Sequence, residues 1–157
     1  MSRLRRLRCT LRDALANPEL TVLVFGSDGD MLSIGAGHLP HAAARNVDLT
    51  VICMDNQTYG LTKAQASLTS EVGQKSRSTP HGVIAHPVNP VLQVLTHSAT
   101  FVARAYSAKP NQLVDVIVKG INHKGFAFIH VRAPALSSTT PMTTTIRRLQ
   151  RFPRAGT

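Results

Sequence analysis

Two groups of acidic and amide side chains stand where apolar runs of the chain stop. In LTVLVFGSDGDMLSIGAGHLPHAAARN, residues 20–46, an apolar run ends at Gly26 and gives way to Ser27, Asp28, Gly29 and Asp30; in VDLTVICMDN, residues 47–56, a second run ends at Asp55 and Asn56. Glycine-rich helix starts usually receive anions, because their free N–H groups and the helix dipole attract negative charge. Acids at such a turn need a cation or the helix N-terminus to hold them. Asp28 offers a carboxylate oxygen, Asn56 a side-chain carbonyl and the backbone around Thr58 a third oxygen, and such hard ligands suit magnesium. A magnesium ion there keeps positions for phosphate oxygens, and Gly26 and Gly29 let the turn approach a diphosphate closely. Two plainer readings stay open from the residues alone: Ser-Asp-Gly as an ordinary turn, and Asp-Asn-Gln as a polar cap.

Other chemistries have weaker support. The spacing of a dinucleotide fingerprint, with its acidic residue at the proper interval, is incomplete, and the glycines are followed by Asp rather than by the Lys-Ser or Lys-Thr of a phosphate loop. His38 and His41 share one helix face but lack a third ligand. His81, His86, His97, His123 and His130 show no ligand spacing. No serine sits in a nucleophile elbow, and Cys9 and Cys53 have no identifiable histidine partner. Two cysteines make neither a disulfide framework nor a thiolate metal site, so Cys53, inside an apolar run, reads as a small core residue.

The elements that would carry these residues follow from periodicity. Residues 3–16 read as a basic amphipathic lead helix ending near Asn17-Pro18. LTVLVFG reads as a buried strand, residues 31–46 as a helix kinked or split at Pro40, and VDLTVICMDN as a second buried strand. Strand, helix and strand in succession form a βαβ unit and predict a parallel sheet with ligands at the strands' carboxyl ends. Residues 57–90, rich in Thr, Ser, Gly and Pro, read as a long functional or disordered loop. A helix restarting near Pro90, a strand TFVARAY, a helix NQLVDVIVKGINHK with Asn111 as a possible N-cap, and a strand GFAFIHVRAP complete the domain. The expected organisation is a lead helix over 1–16, an α/β domain over 17–135, and a mobile tail over 136–157 that is first Ser/Thr-rich and then Arg-rich.

The chain has 157 residues, 43% of them hydrophobic, enough for one core. Its formal net charge of +10 is uneven. Five arginines fall in residues 1–12 and four in 147–154, leaving a nearly neutral body. Basic ends without interleaved aromatics make a nucleic-acid groove a poor reading. No apolar run reaches membrane-spanning length, and a cytoplasmic, soluble protein is the expectation.

The stretch GSDGDMLSIGAGHLPHAAARNVDLTVICMDNQTYGLTKAQASLTS resembles the thiamine-diphosphate-binding region of the beta subunits of 2-oxoacid:ferredoxin oxidoreductases, and the likeness runs from about Ala16 to Val131. The resemblance implies a three-layer αβα fold with a mostly parallel sheet, incomplete at the N-terminus. It implies thiamine diphosphate and Mg2+ as cofactors, with Asp28, Asn56 and the Thr58 carbonyl as metal ligands. Gly26, Ser27, Asp28, Gly29, Asp30, Asn56, Tyr59, Gly60, Leu61 and Thr62 would line the cofactor. The implied activity is oxidative decarboxylation of a 2-oxoacid, with 2-oxoglutarate favoured, to an acyl-CoA. No catalytic residue is assigned to this chain, since the activating glutamate of such enzymes comes from the alpha part. An alpha subunit, coenzyme A and ferredoxin are the implied partners of the complex, and inactivity is expected for the chain alone.

Several positions depart from that family. Its Cys-x-x-Cys pair is missing, and Ala135 stands where a further cysteine follows a proline; with two cysteines, no iron-sulfur cluster is expected within this chain. Ala64 replaces a glycine, Leu68 a proline and Ala44 an arginine. A truncated, split or decaying gene product is the expected reason for the missing cysteines and the unfamiliar tail, and the alternative to a working cofactor subunit is a non-catalytic remnant or subunit-interaction module that keeps the fold.

Overall fold

A computed structural model describes residues 15–17, 19–59, 65–76, 79–133 and, as backbone, 146–148. Residues 1–14 of the expected lead helix, Gly60, Leu61 and Thr62 of the expected cofactor segment, and most of the expected tail lie outside the described residues.

The strands are β1 (Leu23–Ser27), β2 (Leu49–Asp55), β3 (Thr58–Tyr59), β4 (Gln65–Ala66), β5 (Phe101–Tyr106), β6 (Phe126–Arg132) and β7 (Ile146–Arg148). The helices are α1 (Leu39–Ala44), α2 (Pro90–Thr96) and α3 (Pro110–Ile121), with a π-helical turn over Gly29–Ile34. The main sheet has the order β1-β2-β6-β5-β7; its first four strands are parallel and β7 is antiparallel to β5. β3 and β4 form a separate antiparallel pair.

One sheet face is covered by the π turn, α1 and α2 over Val24, Val51, Cys53, Val102, Phe126 and Phe128. The other is covered by α3, which sets Val116 over Ile52, Ala103, Ile129 and Val131. The result is the expected three-layer αβα arrangement. β2 and β6 are flanked on both sides, which is why they read as nearly continuous apolar runs. Phe126 and Phe128 are fully buried, each contributing roughly 1.5–3 kcal/mol of transfer free energy.

Several expectations need correction. The first strand is not buried: it is a sheet edge, and Leu23 and Phe25 on its outer face remain exposed, Phe25 at 60%. An edge strand alternates, whereas a run of apolar residues alone suggests burial on both faces. Asn111 does not cap α3. Pro110 occupies the first turn and Lys109 the cap position, without a side-chain bond. The segment read as a structureless tail contributes β7, which pairs with the otherwise free edge of β5. The loop over 57–90 also contains the short strands β3 and β4.

The second helix is split into the π turn and α1, but at a turn over 35–38 rather than at Pro40, which sits in the first turn of α1 where a proline is tolerated. Asn89 caps α2, accepting from the N–H groups of Val91 and Leu92, with Pro90 in the first turn.

Candidate functional site

Parallel register brings the two acidic strand ends together. Ser27 at the end of β1 lies opposite Met54 of β2, so Asp28 and Asp55 take the next step along neighbouring strands. Both are buried, at 0% and 2% exposure. Over them folds the Ser67–Ser70 segment, whose Ser67, Thr69 and Ser70 are buried as well. The Thr69 hydroxyl lies 2.9 Å from Asp28 Oδ2 and 2.8 Å from Asp55 Oδ1. Ser67 Oγ stands 3.0 Å from Thr69 Oγ1, and Ser70 donates to the Gln57 carbonyl at 2.6 Å. A buried cap of hydroxyls thus closes the carboxyl ends of β1 and β2.

Asp55 is well partnered. Oδ1 accepts from the Gln57 N–H at 3.0 Å, and Oδ2 receives His130 Nε2 at 2.7 Å. Arg104 Nε–H donates to His130 Nδ1 at 3.1 Å, so Nε2 is the nitrogen that carries hydrogen toward Asp55. Burial pushes the Asp55 carboxyl upward, but the interaction with His130, with Thr69 and the Gln57 N–H, outweighs it and holds Asp55 below the ordinary range. Burial holds His130 below its own ordinary value, assisted by Arg104 and Arg132 and opposed by Asp55. A neutral imidazole donating to an anionic carboxylate satisfies both directions.

Asp28 has no such support. Burial raises its carboxyl, and the nearby Asp55 charge adds to the effect; bonds from Ser67, Thr69 and the Gly29 N–H oppose it without prevailing. Its Oδ1 is the only buried carboxylate oxygen among the described residues that lacks a hydrogen-bond partner. A buried polar atom without a partner is costly, and a bound cation removes that cost. The donor set fits magnesium on this ground. Among the described residues no three His, Cys, Asp or Glu side chains gather to hold a metal, so a metal here would need amide and backbone oxygens as well.

The other expected residues among those described cluster at the same end. Asn56 Oδ1 accepts from the Thr58 N–H at 3.2 Å, an amide capping its own turn while keeping a second lone pair. Gly26 is in β1 with Met31 packed against it, and Ser27 Oγ accepts from the Asp30 N–H at 3.3 Å. One N–H of this turn is therefore engaged already. The turn itself is a π turn, with the Gly35 N–H reaching the Asp30 carbonyl at 2.7 Å. Tyr59 lies across Gly29: its hydroxyl donates to the Gly29 carbonyl at 3.0 Å, and a Cβ on Gly29 would land inside the tyrosine ring.

His130, Thr69, Ser67 and Arg104 were not among the candidates from sequence. His130 carried a readable signal, an ionisable residue within the apolar run FAFIHVR, but its partner is 75 positions earlier and depends on the β2–β6 register. Thr69 is one of many Ser and Thr residues in its loop and carried no signal. His38 and His41 lie at the start and on the outer side of α1, away from these strand ends. Cys53 is a fully buried free thiol, pushed well above its ordinary value by burial.

The sequence profile described as thiamine pyrophosphate enzyme, C-terminal TPP binding domain, matches residues 11–131. The chain is 47% identical over 130 residues to the 2-oxoacid:ferredoxin oxidoreductase subunit beta of Saccharolobus solfataricus, covering 83% of this chain and 43% of that protein. It is 47% identical over 118 residues to the 2-oxoglutarate oxidoreductase subunit KorB of Mycobacterium tuberculosis, covering 75% of this chain and 32% of that one. Among solved structures, a 2-oxoglutarate:ferredoxin oxidoreductase from Magnetococcus marinus, with 2-oxoglutarate, coenzyme A and succinyl-CoA bound, superposes with a TM-score of 0.83 at 39% identity, covering 88% of this chain and 47% of that chain. The chain thus spans less than half the length of these relatives.

Proposed function

The chain belongs to the thiamine pyrophosphate enzymes, by their C-terminal TPP binding domain, and from that premise we propose that it is the thiamine-diphosphate- and magnesium-binding portion of a 2-oxoacid:ferredoxin oxidoreductase beta subunit. The carrying observation is the buried, unpartnered Asp28 Oδ1 at the end of β1, beside the Asn56–Thr58 turn after β2. Asp28, Asn56 and the Thr58 carbonyl hold magnesium; Gly26, Ser27, Gly29 and Asp30 form the turn beside the diphosphate; Tyr59, with Gly60, Leu61 and Thr62 after it, covers the cofactor.

Bound thiamine diphosphate supplies the carbanion chemistry of 2-oxoacid decarboxylation. This chain's residues anchor and orient it: Asp28 and Asn56 fix the metal, and the buried Ser67–Ser70 cap keeps water from the strand ends. The likeness to the Magnetococcus enzyme favours 2-oxoglutarate as substrate, with succinyl-CoA as product. Turnover then requires an alpha subunit, coenzyme A and ferredoxin at the level of the complex. Titration calorimetry of the purified chain with thiamine diphosphate tests the site: binding should need magnesium and weaken in Asp28→Ala and Asn56→Ala. Magnesium-independent binding, or unchanged affinity in both variants, refutes it.

A second reading, a subunit-interaction module without turnover, draws on the open edge at β1, where Leu23, Phe25 and Met54 are exposed apolar side chains. It expects no oxidation of a 2-oxoacid with an artificial electron acceptor even after an alpha subunit is added. Measurable turnover excludes it.

A further inference from the structure

Between the two buried carboxylates stands a single hydroxyl. Thr69 Oγ1 is within 3 Å of both Asp28 Oδ2 and Asp55 Oδ1, and it has one proton to give. Thr69 is itself 3% exposed, and its oxygen also meets Ser67 Oγ, so no water is needed to explain its contacts. Behind Asp55 the chain of bonds continues through His130 Nε2 at 2.7 Å and His130 Nδ1 to Arg104 Nε at 3.1 Å. His130 is 1% exposed and lies in the centre of the sheet on β6, the strand bonded on both sides. The anchor therefore lies in the sheet interior, and Asp28, at the end of β1, is the other end of the chain.

We propose that Thr69 is the positioning residue of the magnesium ligand: its hydroxyl, sharing one proton between Asp28 Oδ2 and Asp55 Oδ1, holds Oδ2 beside the Asp55–His130–Arg104 chain and leaves Asp28 Oδ1 to the metal. This rests on the function proposed above. The geometry accounts for the division of labour within Asp28, since Oδ2 is the oxygen bonded to Thr69 and Oδ1 the one left without a partner. It also gives the Ser-Leu-Thr-Ser loop a task. The loop brings in the hydroxyl that links two strand ends whose backbones cannot reach each other beyond Ser27 and Met54.

A ligand held from behind in this way favours the small, rigid octahedron of magnesium over the adaptable shell of calcium. Loss of the hydroxyl should therefore change selectivity as well as affinity. The experiment uses the full chain with thiamine diphosphate and measures binding of Mn2+, a magnesium-like probe, and of Ca2+, by electron paramagnetic resonance and calorimetry. Thr69→Val keeps the shape and removes the hydroxyl; Thr69→Ser restores it. Thr69→Val is expected to weaken Mn2+ binding about 10–100-fold, the usual effect of losing a group behind a metal ligand, and to lower the Mn2+/Ca2+ affinity ratio. Thr69→Ser should recover most of both. If Thr69→Val does not fold, Thr69→Ala provides the same comparison.

Two failures read differently. If the wild-type chain binds no Mn2+ with the cofactor, the metal site itself falls and the proposal with it. If the wild type binds and Asp28→Ala does not, but Thr69→Val binds Mn2+ with unchanged affinity and selectivity, the site stands and the positioning role is overturned.

Discussion

Asp55→Ala should destabilise the chain by about 3–5 kcal/mol, the combined scale of a buried donor left without an acceptor and of lost hydrogen bonds to a charged group. The structure supplies the terms. Asp55 is 2% exposed and accepts from His130 Nε2 at 2.7 Å, from Thr69 Oγ1 at 2.8 Å and from the Gln57 N–H at 3.0 Å. After truncation the Thr69 hydroxyl still has Asp28, but the His130 donor, 1% exposed, has nothing. An unsatisfied buried donor costs roughly 1–3 kcal/mol, and the lost charge-assisted bond and the Gln57 bond account for the remainder. Asp55→Asn keeps the shape and one acceptor oxygen, so roughly half the loss is expected. Urea denaturation followed by circular dichroism measures both; with a slope of about 1–3 kcal/mol per molar for a domain of this size, the Ala variant's midpoint should fall by at least about 1 M. A loss below about 1 kcal/mol in Asp55→Ala would refute the reasoning, because it would mean that His130 finds water or another acceptor.

Protonation gives an independent set of outcomes. His130 and Asp55 both have lowered values, so their stabilisation is present above the unfolded values and is lost as pH falls, for His130 from 6.5 downward and for Asp55 from 3.8 downward. Asp28 has a raised value, so its contribution runs the other way: it is full below 3.8 and lost as pH rises through the raised value, and urea midpoints should show a steeper acid loss in Asp28→Asn than in wild type. Magnesium competes with the Asp28 proton, so calorimetric affinity for Mg2+ with the cofactor should increase with pH over the same window. Gly29→Ala drives a methyl into the Tyr59 ring and should weaken cofactor binding at least about tenfold, while Tyr59→Phe, which loses the 3.0 Å bond to the Gly29 carbonyl, should cost about 0.5–1.5 kcal/mol. Gly125→Ala combines a φ of +111° with contact on the Asn46 side chain that accepts from Phe126 N–H and Thr100; about 2–4 kcal/mol should be lost, read by thermal melting.

What could be read from the sequence follows the range of the forces involved. The parallel strands and the helices of the middle layers were legible because burial imposes a local pattern, as in FAFIHVR and in the prolines and Asn89 that start α2. The edge position of β1 was not, because exposure of Phe25 depends on what lies beside the strand rather than on its own residues. The acidic strand ends were visible as Asp28 and Asp55 with Asn56, and the parallel register brought them together as expected. Their environments were invisible: Thr69 meets Asp28 across 41 positions and His130 meets Asp55 across 75, distances in sequence at which no local periodicity operates.

Under the proposed function, these environments decide which carboxylate would serve the metal. The two acids were equivalent as sequence features, each ending an apolar strand. In the fold Asp55 receives an imidazole, a backbone N–H and a hydroxyl, which hold its charge in place without a cation. Asp28 receives weaker support, and one of its oxygens is buried with no partner at all. Two anions this close and this buried repel each other unless a positive charge intervenes, and the guanidinium joined to them by hydrogen bonds among the described residues, that of Arg104, is spent on His130 on the far side of Asp55. A divalent ion placed at Asp28 therefore relieves both the orphaned oxygen and the repulsion, whereas the same ion at Asp55 would have to displace three good hydrogen bonds first. The asymmetry follows from His130 being on β6, next to β2 and not next to β1: strand order selects the metal-binding acid.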